Sequence, residues 1–347
     1  MRDFACPRCG QQLTFENSRC LACHSGVGFD PDAGSFAVVP DEGVHAEGAR
    51  ASRCANVDIA ACNWLAPPEH PSGLCRSCAL TRTRPADTDL DALPAFAEAE
   101  AAKRRLVFEL TELGLPLRGR DVDPEAGLCF DLLSSGQERV ITGHANGVIT
   151  LDLAEGDDVH REQLRVSMAE PYRTLLGHFR HEVGHYYFTV LTDGGDARER
   201  FTSLFGDPDA DYQAALDRHY QKGPPSGWQE TYVSAYATMH PAEDWAETFA
   251  HYLHVRDTLD TAAAFGFAPA GATLATPLVG DVGFRRIIEL WLPLAWSLNM
   301  INRSMGHPDL YPFVLPPPAL DKMRLVHELV AGAGEAGRAV AGQAAQS

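Results

Sequence analysis

The pentad His181-Glu182-Val183-Gly184-His185 is the strongest chemical signal in the chain. Residues i and i+4 of a helix share a face, so imidazoles at 181 and 185 grip one Zn²⁺ from the same side, with Glu182 beside the water that the metal activates. With 14 histidines in 347 residues, chance yields such a pentad about 0.03 times in a chain of this length. Leu175, Leu176, Phe179, Val183, Tyr187 and Val190 give the surrounding stretch a helical period, opening at Pro171 and closing near Leu191. Gly184 costs such a helix about 1 kcal/mol, a penalty that fits a close neighbour at that point.

Two histidines do not hold a catalytic zinc; a third protein ligand is needed, with a fourth position left for water. Downstream, Pro241-Ala242-Glu243-Asp244-Trp245-Ala246-Glu247-Thr248-Phe249-Ala250-His251 reads as the start of another helix. Glu243, Glu247 and His251 fall on one stripe, and Trp245, Phe249 and Tyr252 on the core-seeking side. Two carboxylates one turn apart repel each other when buried, and a cation relieves that repulsion. We take Glu243 as the third ligand and Glu247 as an acceptor that orients a ligand imidazole through its free N–H. The reverse order stays open, as do His251 and Asp244. Taken alone, these acids would read as a solvent-facing turn that suits the helix dipole.

Eight of the nine cysteines lie in the first 78 residues. Cys6, Cys9, Cys20 and Cys23 form two C-x-x-C knuckles, a spacing that turns four thiolates toward one structural zinc. A redox pair would instead place a single C-x-x-C at the opening of a helix. Cys54, Cys62, Cys75 and Cys78 form a second set with one proper knuckle, expected to staple a Pro- and Gly-rich segment around a second structural zinc, against ordinary buried thiols. Cys129 stands alone in an apolar run and reads as a packed core residue.

Several kinds of element must position these groups. A helix is expected from Leu93 to Gly114, then strands at Leu128–Leu133, Arg139–Thr142 and Val148–Leu153, the last two joined by Gly143-His144-Ala145-Asn146-Gly147. Helices follow at Arg198–Phe205, Asp209–Gln221, Trp228–Thr238, Pro241–Leu253, Phe284–Met305 with a kink at Pro293, and from Pro316-Pro317-Pro318 to about Val330. Val148–Leu153 would suit an exposed sheet edge able to pair with an extended substrate, though an ordinary half-buried strand explains it equally well. The fold class is α+β: a small ribbon region, then a mainly helical part with a short antiparallel sheet.

A formal net charge of −18 opposes a nucleic-acid or anionic-membrane partner, and nearly all of it, −17, falls in residues 86–347. No apolar run is long enough to span a membrane, and Met1–Cys6 does not open a secretory signal, so a cytoplasmic protein is expected.

The order of the Cys₄ ribbon, the Cys54–Cys78 cluster, His178-Phe179-Arg180-His181-Glu182-Val183-Gly184-His185-Tyr186-Tyr187 and the Glu243–His251 stretch resembles a bacterial family of zinc-binding metallopeptidases. Asn302-Arg303-Ser304-Met305-Gly306 and Asp309-Leu310-Tyr311-Pro312-Phe313 also look like that family, and the likeness spans nearly the whole chain. The catalytic half is similar, more distantly, to gluzincins of the anthrax lethal factor type. That resemblance implies a tyrosine seven residues before the ligand glutamate, which Tyr236 matches, and it favours Glu243 as ligand. The interval from His185 to Glu243 is much longer than in thermolysin-like gluzincins.

The expected organisation is a zinc ribbon over 1–36, a zinc-stapled Cys-rich segment over 37–85, a zincin-like metallopeptidase domain over 86–332 and a flexible tail over 333–347. The expected reaction is peptide hydrolysis by zinc-activated water, with Glu182 as general base and the Tyr236 hydroxyl assisting at the oxyanion. His178, one turn before His181, is a weaker candidate for a group behind the site. The rival expectation is a non-catalytic zinc-stapled adaptor whose ribbons dock a protein partner.

Overall fold

The computed structural model describes residues 1–39, 52–67, 72–135, 140, 142–156, 174–267 and 278–344. The chain divides into two compact units, residues 1–108 with 118–158, and residues 109–117 with 159–347.

The first unit begins with short antiparallel pairs: β1 (Phe4–Ala5) with β2 (Gln12–Leu13), β3 (Gly26–Asp30) with β4 (Ser35–Val39), and β5 (Ser52–Arg53) with β6 (Leu65–Ala66). Strands this short cannot hold themselves together in water. Aromatic packing supplies what they lack: Phe29 has ring centroids of Phe4, Phe15, Phe36, Trp64 and Phe108 within 5.1–5.8 Å. Asn63, buried, donates its side-chain amide to the Phe15 carbonyl (2.6 Å) and so ties the second Cys-rich segment to the first.

The helix α1 (Leu93–Glu112) follows, and a four-stranded sheet completes the unit in the order β7 (Thr81–Thr83), β8 (Cys129–Leu133), β10 (Val148–Asp152), β9 (Gly143–Ala145). β7, β8 and β10 run parallel, and β9 pairs antiparallel with β10. The hairpin turn is tighter than the sequence suggested. Residues 143–145 are themselves strand, and only Asn146 (φ 49°) and Gly147 (φ 79°) turn the chain, the two left-handed residues that a two-residue hairpin needs. Of the strand expected at Arg139–Thr142, residues 139 and 141 lie outside the described residues. β10 lies between β8 and β9, so the expectation that Val148–Leu153 offers a free edge to a substrate is overturned: both its hydrogen-bonding sides are taken. Cys129 is buried in β8.

The second unit is helical: α2 (Leu175–Leu191), α3 (Gly195–Phe205), α4 (Tyr212–Lys222), α5 (Pro241–Ala264), α6 (Gly280–Ser304) and α7 (Pro317–Ala344). Pro171, expected to open α2, lies outside the described residues; the described helix is capped by Thr174, whose hydroxyl accepts the Gly177 N–H (2.9 Å). Instead of one helix over Trp228–Thr238 there are two 3₁₀ turns, Trp228–Glu230 and Tyr236–Thr238. β-Branched Thr231 and Val233 disfavour the intervening turn, and the Ser234 hydroxyl takes the Ala237 N–H (3.1 Å). α5 runs eleven residues past the expected Leu253, and α7 continues to Ala344, past the expected end near Val330.

α2 and α5 cross where Gly184 meets Ala246. A Cβ on Gly184 would stand 3.1 Å from the Ala246 Cα and 3.2 Å from its carbonyl oxygen, which is the close approach that the glycine's cost implied. Trp245 Nε1 donates to the Gly184 carbonyl (2.9 Å), and Tyr187 stacks on Phe249 at 5.5 Å. Among the described residues, no helix is long and apolar enough to cross a membrane.

Candidate metal centres

Among the described residues, three groups of side chains converge at metal-binding distance: Cys6, Cys9, Cys20 and Cys23; Cys54, Cys62, Cys75 and Cys78; and His181, His185 and Glu243.

In the first, the Sγ atoms of Cys6 and Cys23 stand 3.8 Å apart and those of Cys9 and Cys20 3.6 Å. In the second, Cys62 lies 3.7 Å from both Cys75 and Cys78. A tetrahedron with Zn–S bonds of about 2.3 Å has edges of about 3.8 Å, whereas a disulfide needs about 2.05 Å. The sulfurs are therefore spaced for a shared ion, and all nine cysteines are free thiols. The backbone supports the knuckles: the Cys75 N–H donates to Cys54 Sγ (3.3 Å) and the Cys78 N–H to Cys75 Sγ (3.4 Å). The Cys62 and Cys54 spacing of seven residues works because Ala61 takes a left-handed conformation (φ 46°) and β6 returns beside β5. Behind the second group, Glu100 lies 3.5 Å from Cys78 Sγ, and buried Lys103 donates to Glu100 (2.6 Å). That ammonium offsets part of the negative charge that four thiolates and a divalent ion carry.

In the third group, α2 presents His181 and His185, and the first turn of α5 presents Glu243. The two Nε2 atoms are 3.3 Å apart, and Glu243 Oε2 is 3.0 Å from His181 Nε2 and 3.4 Å from His185 Nε2. For bonds of about 2.0–2.1 Å, a tetrahedral ion sets its ligands about 3.3 Å apart. Glu247 meets the other side of the His181 ring, where Nδ1–H donates to Oε1 (2.7 Å), and its second oxygen accepts from Ser234 Oγ (2.5 Å). With the proton on Nδ1, the Nε2 lone pair faces the Nε2 of His185 and the carboxylate of Glu243. Three electron-rich atoms at such distances need a cation between them.

When no ion is bound, a proton on His181 Nε2 takes the place of the cation. Burial favours neutral His181, but its hydrogen bonds to Glu243 and Glu247 outweigh that and hold its pKa well above the ordinary value. Burial would raise Glu243, and the His185 and His181 imidazoles instead hold it well below the usual carboxylate range. Burial likewise opposes the Glu247 charge, and the His181 hydrogen bond brings its carboxyl down to about 2.

Glu182 lies on the buried side of α2. His178 Nε2 donates to its Oε1 (3.1 Å), while Oε2 is buried with no hydrogen-bond partner among the described residues. Tyr236 packs its ring 6.0 Å from that of His181, and burial, then the Glu243 charge, keeps its hydroxyl protonated. The other candidates turn elsewhere. Asp244 pairs with Lys322 Nζ (2.6 Å), and His251 Nδ1 with the Tyr311 hydroxyl (2.9 Å). The sequence reading missed Tyr212, whose hydroxyl donates to Glu243 Oε1 (2.9 Å), and Ser234 behind Glu247. No spacing rule points to either, because each reaches its partner only through tertiary folding.

Comparison with known proteins agrees with this arrangement. The profile of a zinc-ribbon domain matches residues 3–89. A protein of Mycobacterium bovis and proteins from two strains of Mycobacterium tuberculosis, each described as uncharacterized, are 62% identical to the chain over 331 residues, covering 95% of it and 95% of each relative. No solved structure matches the chain. The profile of a family described as "Putative zinc-binding metallo-peptidase" matches residues 92–329, and the chain belongs to that family.

Proposed function

We propose that the chain is a zinc-dependent peptidase of the gluzincin type. Residues 86–332 carry the hydrolytic centre, and residues 1–36 and 37–85 are each held by a structural zinc. The proposal places it in the cytoplasm, where its thiols stay reduced. The observation that carries the reading is the orphaned Glu182 Oε2, a buried carboxylate oxygen kept without a partner beside the His181–His185–Glu243 group. An unpaired buried acceptor costs about 1–3 kcal/mol or more, which has a rationale where a water must lose a proton.

His181, His185 and Glu243 would hold the ion. A zinc there supplies Lewis-acid polarisation of a carbonyl and lowers the pKa of water toward about 7. Glu182 accepts the proton of the attacking water at Oε2 and carries it to the leaving amine, while the His178 hydrogen bond to Oε1 keeps the carboxylate turned to the site. The Tyr236 hydroxyl, held protonated, is a hydrogen-bond donor for the oxyanion that develops. Glu247 fixes the His181 tautomer.

The test is exposure of the zinc-loaded chain to a peptide mixture of broad sequence, with new termini read by mass spectrometry. Glu182→Gln should retain its zinc and lose about 10²–10⁴-fold in cleavage rate. Equal cleavage by wild type and Glu182→Gln would remove Glu182 as the general base, and none by either would leave a metal-stabilised adaptor as the better description.

A further inference from the structure

The residues between the two halves of the metal group, 186–242, do more than connect them. α4 lies in this interval and returns one face to the site: Tyr212 reaches Glu243, and one turn past buried Ala215 the His219 ring stands 5.7 Å from that of Tyr236. Glu243 thus has its two oxygens committed separately, Oε2 to the pair of Nε2 atoms and Oε1 to a phenol 2.9 Å away.

We infer that Tyr212 is a positioning residue that confines Glu243 to one-oxygen coordination of the metal. A free carboxylate can chelate with both oxygens, and doing so would fill the coordination position that a catalytic site leaves open. A hydrogen bond to Oε1 removes that option and fixes the carboxylate plane, the role that outer partners of metal ligands generally serve. Tyr212 stands at the first turn of α4, where Asp211 caps the helix by accepting the Ala214 N–H (3.0 Å). Its ring keeps an exposed edge and packs 5.2 Å from His240, the residue that caps α5. The contact therefore joins the start of α4 to the start of the helix that bears the ligand.

The inference rests on the metal reading of His181, His185 and Glu243, and it is tested without a substrate. Full-length wild type, Tyr212→Phe and Asp217→Ala are loaded with zinc and titrated with a chelator, and each is separately loaded with Co²⁺ for visible absorption. Tyr212→Phe keeps the ring and removes the hydroxyl; it should hold the third ion about 10–100-fold more weakly while the two thiolate-bound ions stay in place. Its cobalt d–d bands should weaken as the coordination number rises. Asp217→Ala removes an exposed hydrogen bond with Gln213 further along α4 and should keep the wild-type affinity and spectrum. Wild-type behaviour of Tyr212→Phe would overturn the inference, as would an Asp217→Ala that reproduces the loss. Failure of the wild type itself to take a third ion would instead remove the metal reading beneath it.

Discussion

The two thiolate groups and the histidine–glutamate group solve the same problem in opposite ways. Each thiolate group offers four identical donors to an ion, and in the second group all four cysteines are buried, so no corner would remain for another molecule. The histidine group stops at three donors and gives two of them outer partners, Glu247 on His181 and Tyr212 on Glu243, while His178 holds the neighbouring Glu182. A closed site spends its ligands on folding, whereas an open one needs outer hydrogen bonds because three ligands alone do not fix its geometry.

The largest effect that would sharpen this contrast is loss of a closed site. Cys62→Ser with Cys75→Ser should remove one zinc and unfold the aromatic core around Phe29 and Trp64, seen as lost near-ultraviolet ellipticity. Cys6→Ser with Cys9→Ser should remove one zinc at a smaller structural cost, because Cys9 is exposed. Equal damage from both pairs would break the ranking.

Acidification should separate the units next. Burial holds His251 and His327 down to about 4 and His254 to about 3, against an ordinary 6.5. The unfolded chain takes up these protons as pH drops below 6.5 while the folded one does not. These histidines therefore contribute stability to the metal-free helical unit that is present above that pH and lost toward pH 4, while buried Glu109 and Asp244, raised to about 8 and about 7, take up protons in the folded state over the same range and leave a net slope of roughly one proton. Thermal melts of metal-free protein across this range measure it; a flat midpoint would show that the histidines are not held neutral.

The smallest effect is at the open site itself. Glu247→Gln should keep a hydrogen bond to His181 but remove the negative charge, weakening the third zinc by about 10–100-fold with the fold intact. Unchanged affinity would mean that the site is fixed by its three ligands alone, as the closed sites are.

What could be read from the sequence follows the same division. The C-x-x-C knuckles and the His181–His185 pair are local, so their geometry is nearly set by spacing. The convergence of Cys54 and Cys62 on one ion needed the β5–β6 pairing and the turn at Ala61, which spacing hints at but does not define. Glu243 was reachable because two acids one turn apart beside a metal motif call for a cation. Tyr212 was not: its helix was expected, but which partner that helix faces is decided by packing. The position of β10 failed for a similar reason, since alternation identifies a strand but not its neighbours.

The buried pair Asp244–Lys322 places a constraint on the order of assembly. Asp244 neighbours the third ligand, and the residue that neutralises it comes 78 positions later in the chain. During synthesis the two cysteine clusters are complete by residue 78 and can load their ions on a nascent chain. Asp244 gains its buried partner only once Lys322 has been made, so the turn that carries Glu243 completes its charge pairing well after both cysteine clusters.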